Sequence, residues 1–227
     1  MTVAPGHHAG QEPCIKVWGR MMNASEPVPS PSREPSTAHL GWAARALYAL
    51  MMFIYRRHRF QAVGTPPPER RYIIIAVPHT SNWDFPNYMG VTRELGLETH
   101  FMAKTSLFRW PFHNFMRQMG GVPVDRSAAG DMVQQMIAEF AARDDFILTI
   151  APEGTRKAVT AWRTGFYRIA HGAGVPIVCG FMDYGNRRAG LGPVIHPTGD
   201  YEKDMAPAFA FYAAMAGRNA VHSAPKG

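Results

Sequence analysis

The sequence predicts an α/β fold: a mainly parallel or mixed sheet flanked by helices, with an apolar, interfacial helix at its N-terminal side. Two observations carry this. Continuous apolar runs at residues 72–77, 146–151 and 175–181 have the length and composition of strands buried on both faces. Helix-length segments stand between them, and strands that alternate with helices build a sheet covered on both sides.

Residues 1–36 hold Pro5, Pro13, Pro27, Pro29, Pro31 and Pro35 among Ser, Gly and Ala, with no sustained apolar periodicity, and are expected to be disordered. His7 and His8 in this tail are read as incidental. Residues 40–55 turn strongly apolar, with Trp42, Leu47, Tyr48, Leu50, Phe53 and Ile54, interrupted by Arg45 and followed by Arg56, Arg57, His58 and Arg59. A span of the hydrocarbon takes about 20 apolar residues, so this segment is too short to cross. Two readings stand for residues 37–60: a helix lying in an anionic membrane interface, or a helix packed onto the domain.

Thr65 to Pro68 break the chain before a strand at 72–77. A helix at 85–95 and a strand at 99–103 follow, the strand leading to Lys104. An aromatic-rich stretch occupies 107–119, and residues 120–126 make a turn, an extended piece and a basic end. The clearest helix is 131–143, with Met132, Val133, Met136, Ile137 and Phe140 on one face, Asp131 in its first turn and Arg143 in its last. A strand at 146–151, a helix at 165–171 and a strand at 175–181 come next, then a loop-rich tail with an apolar helix near 206–216. The chain thus divides into a tail (1–36), the apolar helix (37–60), the main domain (61–200) and a C-terminal helix and tail (201–227).

Lys and Arg number 24 against 17 acidic residues, a formal net charge of +7, which favours an anionic partner. No pattern of an RNA-recognition motif, zinc finger or basic zipper is present, so nucleic acid is not expected. Two cysteines, Cys14 and Cys179, fit a reducing compartment. With no signal-peptide pattern, a cytoplasmic location is expected.

The chemistry is placed where the 72–77 strand breaks into a polar loop carrying His79 and, five residues on, Asp84. Ligands of open α/β sheets gather at the carboxyl ends of strands. An imidazole can take a proton from a hydroxyl, and a nearby carboxylate can fix its tautomer. The five-residue spacing requires a turn, which Pro78, Ser81 and Asn82 can supply. The 146–151 strand breaks into a second polar loop, Pro152, Glu153, Gly154, Thr155 and Arg156. In a parallel sheet both loops open on one edge. Arg126 and Arg156 suit a phosphate through paired hydrogen bonds, and Gly154 lets the backbone approach a ligand. No second His or Cys lies at metal-ligand spacing from His79, so no metal site is expected.

The ordered blocks from His79 to Asp84, Gly121 to Arg126, Pro152 to Arg156 and Val175 to Val178 resemble those of the glycerolphosphate and lysophosphatidate acyltransferase family, over residues 72–182. The resemblance implies acyl transfer from acyl-CoA or acyl carrier protein, without a cofactor, to a lysophospholipid hydroxyl, by a protein peripheral on the inner face of the cell membrane. It implies His79 as general base, Asp84 as its supporting carboxylate, and Arg126, Glu153, Gly154, Thr155, Arg156 and Lys104 around the acceptor phosphate. Two positions depart from the family pattern. Pro123 replaces a bulkier residue, and Thr164, before Gly165, replaces a lysine. These leave a lyso-aminolipid or glycolipid acceptor open beside lysophosphatidate. The alternative from another class is a non-catalytic lipid-binding module, against which the intact His79, Asp84, Glu153 and Arg156 weigh.

Overall fold

A computed structural model describes residues 41–78, 83–109, 113–124, 129–154 and 161–216. The tail at 1–36, His79, Arg126, Thr155 and Arg156 lie outside the described residues. The first helix, α1 (Trp42–His58), leads to β1 (Gln61–Val63) and β2 (Arg71–Val77), then α2 (Asp84–Glu94) and β3 (Thr99–Lys104). A 3-10 turn (Thr105–Phe108), α3 (His113–Gln118), β4 (Gly121–Val124), α4 (Ala129–Ala141) and β5 (Phe146–Ile150) follow. The chain continues through α5 (Gly165–Ala173), β6 (Ile177–Asp183), β7 (Arg188–Ile195) and α6 (Tyr201–Ala216).

The strands form one sheet in the order β1-β7-β6-β2-β5-β3-β4, and every pairing is parallel except β6 with β7. β2 sits centrally between β5 and β6, and it is buried on both faces as expected. Ile73, Ile75 and Val77 point into the larger core with α4, α5 and α6, while Tyr72 and Ile74 meet the side covered by α1 and α2. This alternation follows from the two-residue period of a strand.

Three local differences from the sequence expectations have physical reasons. α4 ends at Ala141, so Arg143 is not in its last turn. Arg143 instead lies over the Phe146 ring at 4.6 Å and pairs with Glu139 at 2.5 Å. The expected loop-rich tail contains β7, whose Gly190, Gly192 and Pro193 are poor strand formers. β1 pairs only with Arg188, Ala189 and Gly190, so Pro193 lies where β7 has become an edge and needs no N–H on that side. α6 begins at Tyr201 and carries Pro207 inside it. Its start is fixed earlier by Asp200, whose carboxylate accepts the Lys203 N–H at 3.2 Å, and by Asp204, which accepts Tyr167 Oη at 2.6 Å and Thr198 Oγ1 at 2.8 Å.

α1 packs one face onto the domain and leaves apolar side chains exposed on the other. Ala44, Tyr48, Met51, Met52 and Tyr55 are buried against the domain, while Trp42 (85% exposed), Leu50 (52%) and Phe53 (66%) form an outward apolar stripe. The last turn carries Arg56, Arg57 and His58, which suits the negative end of the helix dipole. α1 meets α2 at Gly90, where any Cβ would overlap the Tyr55 ring. Gly90→Ala is therefore expected to destabilise the fold by about 2 kcal/mol. Adding Tyr55→Ala should relieve part of that loss. Additive losses in denaturant titrations of the single and double variants would show that the two residues are not in this contact.

Candidate active site

The parallel register brings the carboxyl ends of the strands to one edge. Ile75 of β2 pairs with Ile150 of β5, and Val77 pairs with Phe181 of β6, so the chain leaves all three strands on the same side. β3 runs parallel to β5 and ends there in the exposed Lys104. The edge thus gathers Pro78, Lys104, the Pro152–Gly154 turn and Asp183 with Tyr184.

Asp84 is the first residue of α2, three residues before Asn87, whose N–H reaches back to the Trp83 carbonyl at 3.4 Å. The positive end of the helix dipole favours a carboxylate in this first turn. Pro86 is tolerated because first-turn N–H groups have no partner within the helix. Asp84 is only 5% exposed, unusual for a carboxylate, so it is a held group and not a solvated cap. The Tyr184 hydroxyl, from the turn between β6 and β7, donates to Asp84 Oδ1. Asn87 Nδ2 stands 3.5 Å from that hydroxyl, and His58 Nδ1 lies 2.9 Å from Asn87 Oδ1. Trp83, largely exposed, meets the His58 ring edge-on at 6.0 Å.

On the neighbouring strand, the chain leaves β5 through a turn closed by the Gly154 N–H on the Ala151 carbonyl at 3.1 Å. Gly154 has φ of +64°, in the left-handed region, and a Cβ there would crowd the Arg163 side chain at 2.8 Å. Arg163 in turn donates its own N–H to the Pro152 carbonyl at 2.9 Å. Glu153 is buried and contributes, after burial itself and Cys179, to raising the Tyr212 phenol well above its ordinary value. The Tyr212 hydroxyl faces the carbonyls of Ile75 and Gly180 at 3.0 and 2.9 Å, so α6 is pinned beneath the β2 and β6 ends. Glu153 thus points inward, toward the support of the turn. Below the α2 side, the Tyr88 hydroxyl reaches Thr149 Oγ1 at 2.9 Å and also meets Thr99, and burial pushes its phenol up to about 12.

Of the residues singled out from sequence, Asp84, Lys104, Glu153 and Gly154 thus share one edge of the sheet. His79, Arg126, Thr155 and Arg156 belong to the segments outside the described residues. Among the described residues no group of three or more His, Cys, Asp or Glu could hold a metal ion. Sequence reasoning missed Tyr184, Asn87, His58 and Arg163. Tyr184 is 100 residues from Asp84, and no local pattern could have paired them.

Residues 57–182, more than half of the chain, match the family model described as Acyltransferase. The chain belongs to the acyltransferase family. Among solved structures, this acyltransferase is similar to the 1-acyl-sn-glycerophosphate (LPA) acyltransferase PlsC from Thermotoga maritima, with 18% sequence identity and a TM-score of 0.54. The likeness covers 79% of this chain and 82% of that one, and at such identity it shows a shared fold. No curated protein matches the chain. The expected α/β fold and the family resemblance drawn from the four blocks both stand.

In the acyltransferase, the Gly154 turn makes a stability prediction that does not depend on any substrate. Gly154→Ala forces a Cβ into the left-handed region and should lower stability by about 1 kcal/mol. Gly154→Asn, a residue more tolerant of that region, should lose less. Equal losses for the two variants would show that positive φ is not the constraint.

Proposed function

We propose that this acyltransferase moves a fatty acyl group from acyl-CoA or acyl carrier protein to the free hydroxyl of a lysophospholipid, foremost 1-acyl-sn-glycerol-3-phosphate, giving phosphatidate. The observation that carries the reading is the buried Asp84 carboxylate, set at the same sheet edge as the Glu153–Gly154 turn and five residues after His79. His79 takes the proton of the acceptor hydroxyl as that oxygen attacks the thioester carbonyl. Asp84 orients the imidazole and stabilises its cation. The tetrahedral oxyanion collapses, the C–S bond breaks, and the departing thiolate takes the proton back from the imidazolium, so ester and free thiol leave. No acyl-enzyme is required, and no cofactor enters the step.

Arg126, Arg156 and Lys104 supply positive charge for the acceptor phosphate, with Thr155 as a further donor. Glu153 and Gly154 belong to the turn that directly precedes Thr155 and Arg156 in sequence. The net charge of +7 and the outward stripe of Trp42, Leu50 and Phe53 ending in Arg56, Arg57 and Arg59 support a peripheral place on an anionic membrane surface, at the inner face of the cell membrane. No described helix is long and apolar enough to cross a membrane. A second acceptor class, a lyso-aminolipid or glycolipid, is favoured by one observation: Thr164, the residue before α5, stands where the family pattern has a lysine.

The test is thiol release from a long-chain acyl-CoA or acyl carrier protein, with and without lysophosphatidate. Acceptor-dependent release is expected, and His79→Ala should reduce it by about a thousandfold. Arg156→Ala should raise the acceptor KM about tenfold or more, with the donor KM little changed. Undiminished turnover in His79→Ala would overturn the mechanism, and release unaffected by any lysolipid would favour a lipid-binding module.

A further inference from the structure

Three donors point in series toward Asp84. Asn87 is fully buried, and its side-chain oxygen can only accept, so the 2.9 Å contact makes His58 Nδ1 a donor to it. The Asn87 amide nitrogen then faces the Tyr184 oxygen at 3.5 Å, and the Tyr184 hydroxyl donates to Asp84 Oδ1. Each bond in such a chain polarises the next, and here all of them run toward the carboxylate. Burial first, and then the bond to Asp84, hold the Tyr184 phenol well above its ordinary value, so it remains a donor across the working pH range.

The three residues come from separate parts of the fold. His58 is the last residue of α1, Asn87 lies in the first turn of α2, and Tyr184 opens the turn between β6 and β7. Phe60 packs edge-on against the Tyr184 ring at 5.3 Å, so the segment after α1 also holds the phenol in place. The position of the Asp84 carboxylate therefore depends on how the C-terminal end of α1 is set.

We propose that Tyr184 is a positioning residue for Asp84, held through Asn87 by His58, and that this donor chain ties the helix bearing the exposed apolar stripe to the catalytic carboxylate. The inference rests on the reading of Asp84 given above. The titratable groups brought toward the carboxylate include Tyr184 directly and His58 through Asn87, and His79 precedes it by five residues in sequence. Without the phenolic donor, more of the carboxylate's charge acts on the imidazole. The imidazolium is then stabilised, and the base is lost to protonation at higher pH.

The experiment compares wild type, Tyr184→Phe and Asp84→Asn in acyl-CoA thiol release across pH, with thermal midpoints recorded for each. Tyr184→Phe is expected to lower kcat about tenfold. It should leave both KM values within about twofold and move the acid limb of kcat/KM to higher pH, with a midpoint lowered by the loss of the bond to the buried carboxylate. A lower kcat or midpoint with an unmoved acid limb would overturn the positioning role and leave a structural one. Wild-type kinetics in Tyr184→Phe beside an inactive Asp84→Asn would overturn this inference alone. Full activity in Asp84→Asn would overturn the reading of Asp84 on which it rests.

Discussion

A carboxylate taken out of water at the first turn of a helix is the constraint around which this structure is arranged. Burying Asp84 is costly unless fixed donors replace the lost hydration. The helix dipole supplies part of the compensation and the Tyr184 hydroxyl supplies a specific bond. Both depend on α2 being in place, and α2 is set by its contact with α1, where the absence of a side chain at Gly90 lets the Tyr55 ring lie against the backbone. The same helix that shows its apolar stripe to solvent thus buries its other face against the support of the site. One segment of 17 residues serves two surfaces.

The sheet does the rest of the positioning. Parallel pairing of β2 with β5 and β6 sends successive loops to one edge, so residues about 70 positions apart in sequence, such as Asp84 and Glu153, reach a common region. The antiparallel β6–β7 hairpin is what brings Tyr184 to that edge: β6 rises to it and the chain turns back there. A fully parallel continuation would have carried the chain into a crossover instead of a tight turn. From beneath, Tyr212 of α6 bonds to carbonyls of two adjacent strands and holds the floor level.

Much of this was legible in the residues. The unbroken run of Tyr72 to Val77 announces a doubly buried strand, and the polar residues that follow it in sequence point to the strand's carboxyl end. The four ordered blocks carry the family. What was not legible has two physical origins. β7 holds Gly190, Gly192 and Pro193, so its strand character comes from tertiary pairing with β6, against its own propensities. Tyr184, Asn87 and His58 are brought to Asp84 by long-range packing, and a lone Tyr in a turn carries no mark of its partner. The C-terminal helix, expected near residues 206–216, likewise begins earlier, at Tyr201, because Asp200 accepts the Lys203 N–H and Asp204 accepts from Thr198 and Tyr167, partners that are only evident in space.

In the proposed mechanism the Asp84 carboxylate acts on the His79 imidazole. The most direct test is the titration of His79 by NMR with ring-labelled histidine, in wild type and in Asp84→Asn, without any substrate. Coupling predicts that the wild-type imidazole holds its proton to a pH about one unit or more above that of the variant, since the carboxylate stabilises the cation. Identical titration curves in two folded proteins would contradict the account, because a carboxylate that does not alter the imidazole's charge cannot be supporting its work as a base.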